Sequence, residues 1–173
     1  NASLSVDGGS LIATGKSDYG AGIRYTFGSS SSGSGTPSLT VSGNAMVKAS
    51  GGEGGIRDNS SADIQIGDGN NSSGGIVFDN GTGTVYGDVT LQDNLTVGEG
   101  ESLTIPDGAS LNANGKLTVD GGTITGNVSG GVTYKVTGVS LNTNELTLTE
   151  GQTRTLTATI TPSNATNKNV TWS

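Results

Sequence analysis

Apolar and polar residues alternate in short triplets along the first 128 residues, and the triplets return at a near-constant interval. One file reads Leu4-Ser5-Val6, Leu39-Thr40-Val41, Ile64-Gln65-Ile66, Val89-Thr90-Leu91 and Leu111-Asn112-Ala113. A second holds Val47-Lys48-Ala49, Leu95-Thr96-Val97 and Leu117-Thr118-Val119. A third holds Ile23, Ile56, Ile76, Leu103-Thr104-Ile105 and Ile124. Val89 to Leu111 and Leu95 to Leu117 are each steps of 22 residues, and Leu103 to Ile124 is a step of 21. Alternation with period two makes each triplet a strand with one face inward. Return at a fixed period in the twenties, with three strands per period, predicts a parallel β-solenoid with three-stranded coils of about 22 residues. Leu4, Leu39, Ile64, Val89 and Leu111 should then align in one internal file, with Lys48 facing away from Val47 and Ala49.

Turn chemistry agrees with that spacing. Asp7-Gly8-Gly9, Asp107-Gly108 and Asp120-Gly121-Gly122 place a side-chain acceptor before a glycine able to adopt positive φ. The Ser/Gly-rich stretch 28–36 reads as a flexible outward loop, the most mobile part of the chain. The solenoid is expected over residues 1–130, followed by a linker at 131–135. Solenoid ends need caps, and none precedes Leu4, so the chain reads as a piece of a longer protein.

The texture changes from residue 136. Leu156, Ala158 and Ile160 alternate along one strand, and Val170-Thr171-Trp172 opens another, the pattern of an antiparallel sandwich. Here the motifs Val136-x-x-Val139-x-Leu141, Leu148-x-x-Gly151-x-x-x-x-Leu156-x-Ala158, Thr161-Pro162-x-x-Ala165-Thr166 and Val170-x-Trp172 resemble the first half of a bacterial immunoglobulin-like domain, group 2. With Gly43 to Gly52 and its like, the solenoid resembles right-handed parallel β-helices of Gram-positive surface proteins. Together the resemblances imply an all-β chain, a right-handed parallel β-helix followed by a partial Ig-like β-sandwich over 136–173. They also imply an exported adhesin, or a multidomain carbohydrate-active enzyme in which such domains serve as stalks or adaptors. Half a sandwich leaves Leu156, Ala158, Ile160 and Trp172 without a facing sheet, so that row is expected to be covered by the solenoid end, a second copy or further chain.

Composition narrows the partners. The net charge is −7, and Lys and Arg form no cluster, so nucleic acid and anionic membranes would be repelled. No apolar run approaches the roughly 18 residues that a membrane span needs. Cysteine is absent, in keeping with exported proteins of Gram-positive bacteria. The chain also lacks histidine, which excludes a serine triad or an imidazole base.

Candidate sites follow. Arg24 and Arg57 both come after Gly-Ile and should stack as a repeat feature. Asp58, Asp63, Asp68, Asp79, Asp88 and Asp93 are the oxygen donors a calcium ion would use, but they keep no EF-hand spacing. They read as solvated turns, so no cofactor is expected. Tyr19, Tyr25 and Phe27 fall beside the long loop and are the candidate ligand-binding residues, a platform on which a saccharide would stack. The ladder Ser5, Thr40, Gln65, Thr90, Asn112 reads as ordinary solvated strand surface. The leading expectation is a non-enzymatic extracellular surface module for adhesion or glycan binding, its partner a glycan or a host or cell-wall ligand. A structural spacer and an accessory region of a polysaccharide-degrading enzyme are the alternatives. Self-association through the incomplete half-domain is a further expectation.

Overall fold

The computed structural model describes residues 3–16, 19–25, 36–58, 65–67 and 74–173. Its regular elements are all strands. In chain order they are β1 (Ser3–Asp7), β2 (Ser10–Thr14), β3 (Ile23–Tyr25), β4 (Ser38–Ser42), β5 (Ala45–Ser50) and β6 (Ile56–Asp58). Then come β7 (Gln65–Gly67), β8 (Gly75–Asp79), β9 (Thr82–Tyr86), β10 (Asp88–Thr90), β11 (Leu95–Gly98) and β12 (Ser102–Thr104). The last are β13 (Ser110–Asn112), β14 (Leu117–Asp120), β15 (Thr123–Thr125), β16 (Val128–Ser129), β17 (Val132–Tyr134), β18 (Gly138–Leu141) and β19 (Ala158–Thr161).

Parallel pairing dominates up to Tyr134. In the C-terminal part the sequence spacing gives the register directly: Val89 pairs with Leu111, Leu95 with Leu117 and Leu103 with Ile124. A further rung extends two of these stacks, with Val128 under Leu111 and Val132 under Leu117. Residues 131–135, expected as a linker, thus hold β17. Side chains repeat in kind down each stack because every rung meets the same neighbours above and below.

The N-terminal part departs from the expected files. Leu4 pairs with Leu39, but Leu39 pairs with Ile66, whereas Ile64 lies outside the described residues. A slip of two residues leaves every side chain on the same face, so alternation alone does not fix it. Val47 pairs with Leu11 and Val77, not with Leu95. Ile23 and Ile56 pair in a sheet of their own, apart from Ile76 and Leu103.

A hairpin sets the pairing of the strands that follow Val47. β8 and β9 pair antiparallel around Asn80 and Gly81, both at positive φ, which is the two-residue turn that Asn-Gly favours. It reverses the chain in the middle of a six-stranded sheet ordered β15-β12-β9-β8-β5-β2. The sheet is covered by a different core on each face. Val47, Val77 and Ala49 belong to a first core with Tyr25, Leu39, Val41 and Ile56. Ile76, Phe78, Val85 and Leu103 belong to a second, with Val89, Leu95, Leu111 and Leu117. Strand β8 lies where the two meet and is buried from Gly75 to Phe78. By register and alternation, the face that carries the first core continues past Val77 as Thr84, Thr104 and Thr125. Apolar side chains give way to hydroxyls where the first core ends.

Two residues make the crossing work. Gly83 lies beside Phe78, and a β-carbon there would stand 2.6 Å from the ring, so only glycine lets the ring pack flat across the hairpin. Lys48 does face away from Val47, yet it is not a solvated ladder residue. Its Nζ lies 4.5 Å from the centre of the Phe78 ring and 3.0 Å from Glu101 Oε1.

Beyond Tyr134, β18 and β19 pair antiparallel, Val139 opposite Ile160 and Leu141 opposite Ala158. Their apolar row is open: Val139, Leu146, Leu148 and Leu156 are exposed, and Trp172 is 55% exposed. Of the covers expected for Leu156, Ala158, Ile160 and Trp172, the preceding part of the chain does not supply one: Leu156 and Trp172 stay exposed, while Ala158 and Ile160 are half-buried. Contacts with the strands before it are made through Pro162 and Asn164, which line a cleft with Val119 and Ile124, and through Thr166, which bonds Tyr134.

Candidate functional site

Two of the three aromatics singled out in the sequence, Tyr19 and Tyr25, are described, and they differ in burial. Tyr25 is buried in the first core, where its hydroxyl donates to the Ser38 carbonyl at 2.8 Å. Burial holds its pKa above the ordinary tyrosine value, opposed by a weaker backbone hydrogen bond. Tyr25 is thus a core residue, a correction of its expected role: with Arg24 turned outward, period two turns Tyr25 in. Tyr19 is 83% exposed, and Phe27 lies outside the described residues.

Arg24 and Arg57 do stack, paired in register between β3 and β6. One glutamate serves both. The Glu53 carboxylate pairs with the Arg24 guanidinium, while Arg57 Nη1 donates to the Glu53 carbonyl at 2.7 Å. The Arg24 hydrogen bond is the main cause that keeps the Glu53 carboxyl below its ordinary range. This satisfies the like-charged pair locally and explains both arginines as fold elements.

Two of the acids of 58–93 are engaged in hydrogen bonds of the fold. Asp79 Oδ1 accepts from Gly55 N at 2.8 Å, and Asp88 Oδ1 accepts from the Ser110 hydroxyl at 2.7 Å. Among the described residues no three acids gather as a cation site; Asp63 and Asp68 lie outside them. The outward ladder is broken in two, Ser5 beside Thr40 and Thr90 beside Asn112, with Gln65 opposite Ser38 instead.

A cleft lies elsewhere, at the foot of the parallel stack. Strands β13 and β14 each receive another rung, but among the described residues nothing pairs beneath β15. Ile124 is therefore only partly covered, and Val119 ends its column opposite Tyr134. Pro162 and Asn164 face this gap, leaving a cleft of about 260 Å³. The far wall is fixed by a reciprocal pair: Thr166 N donates to the Tyr134 carbonyl at 2.9 Å, and Tyr134 N donates to Thr166 Oγ1 at 2.8 Å. Ala165 is buried beside them. Lys135 lines the cleft, and its Nζ lies 2.7 Å from Asp120 Oδ2. Sequence reading passed over Tyr134 because only its place at the end of the Val97–Val119 column marks it.

A hollow of about 440 Å³ lies on the open half-sandwich, lined by Val136, Val139, Ile160 and Val170. Asn167, Asn169 and Thr171 complete its lining.

The family described as bacterial Ig-like domain (group 2) matches residues 135–173. Residues 135–173 are thus similar to a non-catalytic family whose domains occur in extracellular or surface proteins of bacteria. No curated protein and no solved structure matches the chain.

Proposed function

We propose that this chain is a non-enzymatic module of an extracellular bacterial surface protein, and that it binds a glycan. In this reading residues up to Tyr134 are a right-handed parallel β-helix with three-stranded coils, and the Ig-like half-domain is docked on its end. Right-handed crossover is the general rule for parallel strands joined within one sheet, and the in-register steps at Val89–Leu111 and Leu95–Leu117 support the helix. The family match over 135–173 supports the extracellular setting. The observation that carries glycan binding is the cleft at the junction, where apolar side chains, hydroxyls and an amide converge. Ligand sites occur preferentially at such boundaries between structural units.

A glycan array probed with the chain, in the presence and absence of calcium, tests the reading. Binding to a restricted set of glycans, competed by the free sugar and indifferent to calcium, is the expected result. Absence of any competed signal would overturn it. The exposed row Val139, Leu146, Leu148, Leu156 and Trp172 favours a second reading: a spacer whose half-domain associates with another chain. Concentration-dependent dimerisation without glycan binding would be its mark.

A further inference from the structure

We propose that the junction cleft takes one neutral pyranose residue of a glycan, a proposal that rests on the glycan-binding reading above. The lining divides as a sugar ring divides. Val119, Ile124, Tyr134 and Pro162 offer an apolar side for the C–H face. Thr123 and Asn164 offer groups that both donate and accept, as sugar hydroxyls require, while the Thr137 hydroxyl, which donates to the Thr161 carbonyl at 3.3 Å, is left to accept. The free edge of β15 adds backbone groups to the same rim, since parallel strands alternate their hydrogen bonds between two neighbours and β15 has only one.

Charge selects a neutral ring. Lys135, the one lining residue that carries charge, is engaged by Asp120, so a carboxylate or phosphate would have to displace that partner. The chain as a whole, at −7, repels anions. Size selects one ring: about 260 Å³ sits just under the roughly 300–1,000 Å³ of drug-sized sites. The remainder of a glycan would run out through the open side.

Titration of the ¹⁵N-labelled chain with the methyl glycosides of glucose, galactose, mannose, N-acetylglucosamine and glucuronic acid tests this. At least one neutral glycoside should give saturable shifts centred on the amides of Gly121, Gly122, Ile124, Lys135 and Asn164. Asn164 is exposed, so Asn164→Ala should keep the spectrum of the folded chain while weakening binding about fivefold or more, the loss of a hydrogen bond to a ligand. Thr123→Val, which keeps the branched shape and removes the hydroxyl, should act in the same direction. Shifts clustered around Tyr19 and Arg24 would overturn the cleft while leaving glycan binding intact. Tightest binding by the glucuronide would overturn the neutral ring. No shifts with any glycoside would overturn both the cleft and the glycan reading, and unchanged affinity in both variants would overturn the cleft alone.

Discussion

Lys48 and Glu101 lie 53 residues apart in the chain, yet the ammonium of one stands 3.0 Å from the carboxylate of the other across the β8–β9 hairpin. The pair ties the part of the sheet backed by the first core to the part backed by the second. Glu101 also accepts from Gly98 N at 2.9 Å, so its carboxylate is held in place before the lysine arrives. With both side chains about a quarter exposed, the ion pair contributes about 0.5–1 kcal/mol, and the Phe78 ring beneath the ammonium adds a similar amount. Lys48→Met, which keeps the stem and removes the charge, should cost about 1 kcal/mol in urea unfolding. A double-mutant cycle with Glu101→Gln should return a coupling of about 0.5 kcal/mol or more.

Gly83 should tolerate no side chain. Gly83→Ala drives a methyl into the Phe78 ring, and overpacking of a buried site costs about 1–3 kcal/mol. Thr84→Ala, next to it on the hydroxyl face, should change stability by less than about 0.5 kcal/mol. Thermal melts of the two variants separate the faces of β9.

How much of this was legible in the sequence depended on the length of each repeat. From Val89 to Ile124 the spacing fixed strands, faces and partners, because three unbroken steps agree. Before Val77 the chain spends unequal lengths between strands, and files built on a constant step joined the wrong rows. Asn80-Gly81 was itself a hairpin signal of the strongest kind, masked by the stronger expectation of one uninterrupted period. The candidate site was not legible. Its walls come from Val119, Tyr134 and Asn164, which no local motif links, and it exists because β15 lacks the rung that its neighbours have. Tyr25 read as a ligand platform because an aromatic beside a loop carries no mark of facing unless the register of its strand is known.

Leu111 is buried in the second core between Val89 and Val128. Leu111→Ala should cost about 2–5 kcal/mol, as large-to-small changes in a packed core do. Leu111→Asp places a carboxylate there without a partner and should abolish the cooperative transition. An unchanged melting midpoint for either variant would remove Leu111 from the interior.

Acid and alkali should act at different places. The Glu53 carboxyl is held below its ordinary range, chiefly by Arg24. Its contribution is therefore present above the pKa of an unfolded glutamate and lost as pH falls through the lower folded value. Glu53→Gln should flatten the acid limb of stability against pH. Burial raises the pKa of Tyr25 and of Tyr86, so their contribution is complete below the ordinary tyrosine value and lost as pH rises through the folded one. Absorbance titration should find these two phenols ionising late, and Tyr25→Phe should shallow the alkaline limb.

The account as a whole stands on parallel stacking, and through-hydrogen-bond couplings measure it without altering the chain. An NMR experiment that correlates amide nitrogens with the carbonyl carbons they bond should link Leu91 to Asn112, Leu95 to Lys116, Ile105 to Thr125 and Ala113 to Ser129, the bonds seen here at 2.8–3.0 Å. Those four correlations, each reaching forward along the chain in the same sense, are the predicted result. Partners that run in the antiparallel order across the same segments, or none beyond local turns, would contradict the stack, and with it the cleft at its foot.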